Sequence, residues 1–149
     1  MAGKPWVTAL RMLAARRLTE SQLQSRLARK GFLAEEVALV VERAKNERFI
    51  DDHSYAQIYL ETTRKPLGDR CLVAELVKRG IARELASAAV ADSTRNESDR
   101  LAEAYAKLCR VRPGISHPSA AQALARYGFA TPRIYSYLRN VVGVDISPS

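Results

Sequence analysis

The sequence predicts an all-α protein, and three observations predict it. No stretch alternates apolar and polar residues long enough to demand a strand. A short motif recurs three times, as Leu23-x-x-x-Leu27-Ala28-Arg29-Lys30-Gly31-Phe32, Leu72-x-x-x-Leu76-Val77-Lys78-Arg79-Gly80-Ile81 and Ala120-x-x-x-Leu124-Ala125-Arg126-Tyr127-Gly128-Phe129. Its glycines lie 49 and 48 residues apart (31 to 80, 80 to 128), and each is followed by residues at helical spacing. A period of that length marks an array in which each unit is one supersecondary structure touching its neighbours. The expectation is an elongated, curved array of three tandem three-helix modules, helix-turn-helix-like, over residues 1–50, 51–95 and 96–149.

Each element has a local reason. A first helix over 6–17 starts after Pro5, which suits a first helical turn, and places Val7, Leu10 and Ala14 on one face. Thr19 with Gln22 forms a capping box that opens the second helix. Gly31, Gly80 and Gly128 each end a helix, since a terminating residue commonly takes the left-handed conformation and the apolar residue after it folds back on the last turn. Val37, Val40, Val41 and Ala44 then follow i, i+3, i+4, i+7, as do Ile134, Tyr137, Leu138 and Val141, with Leu85, Ala88 and Ala89 a shorter version. Asp51 or Asp52 caps a helix carrying Tyr55, Ile58 and Tyr59; Asn96 or Ser98 caps one carrying Leu101, Tyr105 and Leu108. Arg112 to Ser119, bearing Pro, Gly and Ser, reads as a loop, and Val144 to Ser149 as a frayed tail.

Composition narrows the functional classes. Of 149 residues 47% are hydrophobic and 27% charged, which favours an ordered chain over a disordered one. The longest apolar run, Val37 to Val41, is far below the roughly 18 residues of a membrane span, and Arg11 interrupts the apolar patch after Lys4, so neither a span nor a secretory signal is expected. A cytoplasmic chain follows, with Cys71 and Cys109 as packing thiols rather than a disulfide. The net charge of +8 points to a polyanionic or acidic partner. Residues 1–50 carry ten basic and five acidic residues, 51–100 eight and nine, and 101–149 six and two, so the excess sits at the two ends.

The motifs supply the candidate site. Arg29, Lys30, Lys78, Arg79 and Arg126 fall in last helical turns, where cations meet the negative end of the macrodipole. Their recurrence at the same place in each unit adds a partner-binding role to that local one, with Arg16 and Arg17 as second choices. No catalytic constellation accompanies them. Asp51-Asp52-His53 reads as helix capping, no glycine-rich phosphate loop or nucleophile elbow is present, and Tyr55, Tyr59, Tyr105 and Tyr137 lie in apolar stripes. A non-enzymatic chain without cofactor or metal is expected. The residues opening each second helix, Ala34-Glu35-Glu36, Arg83-Glu84 and Thr131-Pro132-Arg133, place carboxylates where a DNA-reading helix would meet the groove, which disfavours base readout. Phosphate contact, salt-sensitive and indifferent to sequence, stays open as the alternative: an autonomous non-specific DNA-binding protein.

In order along the chain, Ala9-Leu10, Leu13-Ala14-Ala15-Arg16-Arg17-Leu18-Thr19-Glu20-Ser21-Gln22-Leu23 and Leu27-x-x-Lys30-Gly31-Phe32 resemble the opening of the RecX family of recombinase regulators. Phe49-Ile50-Asp51-Asp52-x-x-Tyr55-Ala56 is similar to that family's next element, and Gly68, Glu75-Leu76-x-x-Arg79-Gly80-Ile81 and Leu124-x-x-Tyr127-Gly128-Phe129 continue the series to about residue 142. The resemblance implies a cytoplasmic protein, helical and in three modules, that needs no cofactor; a monomer is expected. It implies binding to the RecA–DNA filament, limiting its growth, strand exchange, ATP hydrolysis and SOS-type signalling. Single- and double-stranded DNA backbone are further partners to weigh. One departure is Tyr127, where the other units carry Lys30 and Arg79, which implies less charge and more stacking or packing at the interface from the third module.

Overall fold

The structure, a computed structural model, describes residues 4–140. These form nine α-helices: α1 (Pro5–Ala15), α2 (Glu20–Arg29), α3 (Ala34–Asn46), α4 (Asp52–Thr62), α5 (Asp69–Lys78), α6 (Arg83–Ala91), α7 (Glu97–Val111), α8 (His117–Arg126) and α9 (Thr131–Asn140). No strand occurs among the described residues. By its contacts the chain divides into two compact units, one of Met1–Tyr59 with Glu75–Ala89, the other of Leu60–Ala74 with Val90–Ser149. The bounds between them fall inside α4, α5 and α6.

In the first unit α1, α2 and α3 close around Ala9, Leu18, Leu23, Leu27 and the stripe Val37, Val40, Val41 and Ala44, all buried. Thr19 caps α2 as expected: its hydroxyl accepts from Gln22 N–H at 3.1 Å, and the Gln22 side chain accepts from Thr19 N–H at 3.0 Å. The inner face of α1 differs from the expected one. Val7 and Ala14 are exposed, and Trp6, Ala9, Met12 and Leu13 face the core instead. The indole decides this: Trp6 meets Phe49 edge-on at 5.8 Å and carries the Arg43 guanidinium 3.9 Å above its ring. The helix also stops at Ala15, two residues early, because Arg16 is already extended at φ −163° and ψ 156°.

In the second unit α7, α8 and α9 pack around Leu101, Ala104, Leu108, Ala120, Leu124, Phe129, Ile134 and Leu138. Asn96, of the two candidates, caps α7, its side chain accepting from Asp99 N–H at 2.8 Å. The expected loop from Arg112 to Ser119 is shorter. Ser116 accepts from Ser119 N–H and opens α8 at His117, since Pro118 lies in the first turn, where a missing N–H costs nothing. On α6 the buried residues are Ala86, Ala89 and Val90; Leu85 is half-buried and Ala88 exposed, so the expected stripe is displaced by one position. Cys71 and Cys109 are half-buried free thiols. Val141 and the tail Val144 to Ser149 lie outside the described residues.

The segment before α5 is fastened within the second unit. Arg100, 4% exposed, donates to Leu67 O, to the Asp69 carboxylate and to Arg95 O. Gly68 N–H donates to Tyr127 O at 2.9 Å, and a Cβ at Gly68 would stand 2.3 Å from the Gly128 carbonyl carbon. Backbone meets backbone there, which only glycine allows.

A basic cleft between two helix ends

The C-terminus of α5 and the N-terminal half of α2 meet inside the first unit, and the sequence explains how. α5 ends in a Schellman turn, with Ile81 N–H donating to Leu76 O at 3.1 Å and Gly80 N–H to Val77 O at 2.9 Å. Gly80 has φ +99°, and a Cβ on it would lie 2.4 Å from Ser21 Cβ, so the glycine serves both the turn and the approach of α2. The Thr19 hydroxyl, fully buried, donates to Arg79 O at 2.7 Å while accepting from Gln22 N–H. One hydroxyl therefore satisfies an orphan carbonyl of α5 and an orphan amide of α2.

A cavity of about 270 Å³ lies over this junction, lined by Ser21, Gln22, Ser25, Arg26, Arg29 and, from the end of α5, Lys78, Arg79 and Gly80. Four cations face it and no carboxylate lines it. Arg29 and Lys78 are exposed. Arg79 is held: its guanidinium stacks 4.5 Å over the Tyr59 ring and lies 3.7 Å from Glu75. Such an arrangement suits phosphate or carboxylate oxygens, which arginine engages with a planar fork and lysine as a point charge.

The structure thus brings together Arg29, Lys78 and Arg79 of the expected set and separates the rest. Lys30 turns away, because consecutive helical residues point about 100° apart. It lines a second cleft of the first unit with Arg11, Arg16, Arg26 and Phe32. Arg17 is exposed and lines neither cleft. Arg126 belongs to the second unit, beside Lys65, Lys107 and Arg112. Arg26 was missed by the sequence reading and faces both clefts of the first unit. Its signal was available, since it precedes Arg29 by three residues and so shares its helix face.

The acidic residues do the capping expected of them, divided between two helices. The Asp51 carboxylate accepts from Ser54 N–H at 3.2 Å and caps α4; that hydrogen bond, offsetting a smaller desolvation, lowers its pKa. The Asp52 carboxylate accepts from Glu20 N–H at 2.9 Å at the start of α2. Burial raises its pKa, aided by the Glu20 and Asp51 carboxylates and opposed by that hydrogen bond. His53 borders the same cavity as Glu20, Lys45, Asp51 and Asp52. Among the described residues no three His, Cys, Asp or Glu are placed to hold a metal ion, and no helix is long and apolar enough to cross a membrane.

Comparison with known proteins agrees with this fold and these motifs. Residues 6–43 match the family model described as RecX, first three-helix domain. The regulatory protein RecX of Caldanaerobacter subterraneus subsp. tengcongensis is 36% identical over 78 residues, 52% of this chain and 40% of that protein. The regulatory protein RecX of Syntrophotalea carbinolica is 30% identical over 138 residues, 90% of this chain and 84% of that protein. In fold, the crystal structure of RecX from Lactobacillus salivarius superposes with a TM-score of 0.82 at 18% identity, covering 95% of this chain and 96% of that one. A second crystal structure, of regulatory protein RecX, gives 0.80 at 21% identity over 92% of this chain and 72% of that one. With the relative from Syntrophotalea aligned through all three glycine-ended motifs' span of the chain, the conclusion is direct: this chain belongs to the RecX family.

Proposed function

We propose that the chain is a non-enzymatic regulator that binds the RecA–DNA filament and restrains its growth, strand exchange, ATP hydrolysis and SOS coprotease function. The observation that carries the reading is the convergence of Arg26, Arg29, Lys78 and Arg79 on one cleft with no carboxylate in its lining. Membership of a family of regulatory proteins supports it. A positive cleft with a fixed floor engages an acidic protein face or a phosphate backbone, and a nucleoprotein filament offers both. Lys30 and Arg16 extend the docking surface through the second cleft, with Arg17 and Arg126 as further contacts. In this reading the protein acts as a cytoplasmic monomer whose triplets, 1–50, 51–95 and 96–149, are its modules.

The test is RecA-dependent ATP hydrolysis on single-stranded DNA. The wild-type chain inhibits at micromolar concentration, and Lys78→Glu with Arg79→Glu weakens inhibition while leaving helical circular dichroism unchanged. Absence of inhibition by the wild-type chain overturns the reading; undiminished inhibition by the double variant removes the cleft from it. The net charge of +8 favours one second reading, an autonomous DNA binder acting through phosphate contacts. Tight, strongly salt-dependent binding to bare DNA at physiological ionic strength would select it.

A further inference from the structure

The second unit carries a separate groove of different character. It lies between α7, α8 and the segment leading into α5, with a volume of about 380 Å³. Its floor and wall are aliphatic: Leu67, Ala104, Leu108, Val111 and Ala123. Ala104, Leu108 and Ala123 are buried beneath it, while Val111 is 70% exposed and Tyr127 37% exposed at its edge. Lys65, Lys107, Arg112 and Arg126 rim it, all exposed, and among the described residues none of the four is in an ion pair. No carboxylate lines it.

We infer that this groove binds a short acidic peptide segment of a partner protein, seating one apolar side chain over Leu108 and Val111 with flanking carboxylates on the four cations. Two features of the groove argue for that occupant. An aliphatic floor inside a wholly cationic rim is complementary to an apolar anchor between acids, the central-anchor and polar-rim arrangement of a peptide site. A nucleic acid strand would satisfy the cations but set sugar and phosphate against Leu108 and Val111, with Tyr127 the one ring offered for stacking. The groove is also preformed. Arg100 holds Leu67 O, and Gly68 N–H holds Tyr127 O at 2.9 Å, so two of its walls are fixed before a ligand arrives.

The experiment is fluorescence anisotropy on the full chain with a labelled peptide in which a Leu-Phe pair is flanked on both sides by aspartates. The peptide binds, and replacing its Leu-Phe pair with serines weakens binding about tenfold. Val111→Ser and Lys107→Glu in the protein, both exposed changes that leave helical circular dichroism intact, each weaken it about tenfold as well. Lys78→Glu with Arg79→Glu leaves it unaltered, since that cleft belongs to the first unit. Absence of peptide binding overturns the inference, and so does equal binding of the serine peptide, which would reduce the site to charge attraction. A single-stranded oligonucleotide whose affinity falls in Val111→Ser while the peptide's does not makes the groove a nucleic-acid site and overturns it too. Self-association of the chain that Val111→Ser abolishes, without peptide binding, assigns the groove to a second copy and has the same effect.

Discussion

Gly80 and Gly31 share a left-handed conformation, at φ +99° and +94°, yet differ in their surroundings. A Cβ at Gly31 meets nothing within 4 Å, whereas one at Gly80 meets Ser21 Cβ at 2.4 Å. Gly31→Ala therefore costs the backbone strain alone, about 1–2 kcal/mol, while Gly80→Ala adds overpacking of about 1–3 kcal/mol. Urea unfolding of the two variants checks this, and equal losses would show that α2 and α5 do not abut at Gly80. Arg48 presents the opposite case. It stands at φ +61° where α3 ends, with Phe49 N–H donating to Ala44 O at 2.8 Å in the turn that glycine normally closes. Arg48→Gly should raise stability by roughly 0.5–1 kcal/mol, the strain relieved less the entropy glycine adds to the unfolded chain. The glycine-ended helices were legible in the sequence because Gly has a mechanical use there. Arg48 was not, because nothing local distinguishes an arginine in a left-handed turn from one in a helix.

Helix ends are where the sequence was most and least informative. The Thr19–Gln22 box was readable from four residues, but not the bond from the Thr19 hydroxyl to Arg79 O, sixty residues away in sequence. Thr19→Val removes both functions of that hydroxyl. The lost cap costs about 1 kcal/mol and the stranded Arg79 carbonyl about 1–3 kcal/mol more. Thr19→Ser, which keeps the hydroxyl, should recover most of that loss in the same unfolding experiment. Asp51 and Asp52 give a pH test of opposite signs. The lowered pKa of Asp51 means that its ionised form stabilises the fold, a contribution present above the unfolded value and lost as pH falls through the folded one. The raised pKa of Asp52 means that ionisation is penalised in the fold, so stability from this group grows as pH falls through its raised value. Asp52→Asn keeps an oxygen for Glu20 N–H and should raise stability at neutral pH, while Asp51→Asn should lower it; unfolding midpoints between about pH 3 and pH 7 decide. Sequence periodicity placed the buried faces of α3 and α7 correctly because their apolar residues leave one choice of face. It misplaced those of α1 and α6, where Val7 competes with Trp6 and the four alanines of α6 leave no face distinct.

At the scale of the whole molecule, charge does two separable things. The net +8 draws the chain toward any polyanion from a distance, and salt screens that attraction within a Debye length of about 8 Å at physiological ionic strength. The cleft of Arg26, Arg29, Lys78 and Arg79 acts at contact, and its effect is countable through the counterions it displaces. If all four cations met phosphates of duplex DNA, the logarithm of the binding constant would fall against the logarithm of salt concentration with a slope of about −3.6. Lys78→Glu with Arg79→Glu would then flatten the slope by about 2 units. A docked filament behaves otherwise, because part of its contact is with protein and releases fewer ions. The filament reading therefore expects bare duplex to show the steep slope and to bind weakly at physiological salt, with a dissociation constant of about 10⁻⁴–10⁻⁶ M. Filament binding should be tighter, with a shallower slope, and should still drop in the double variant. Equal slopes and equal affinities for bare and RecA-coated DNA would leave the protein of the filament no part in recognition, and the chain would then be a reader of phosphate alone.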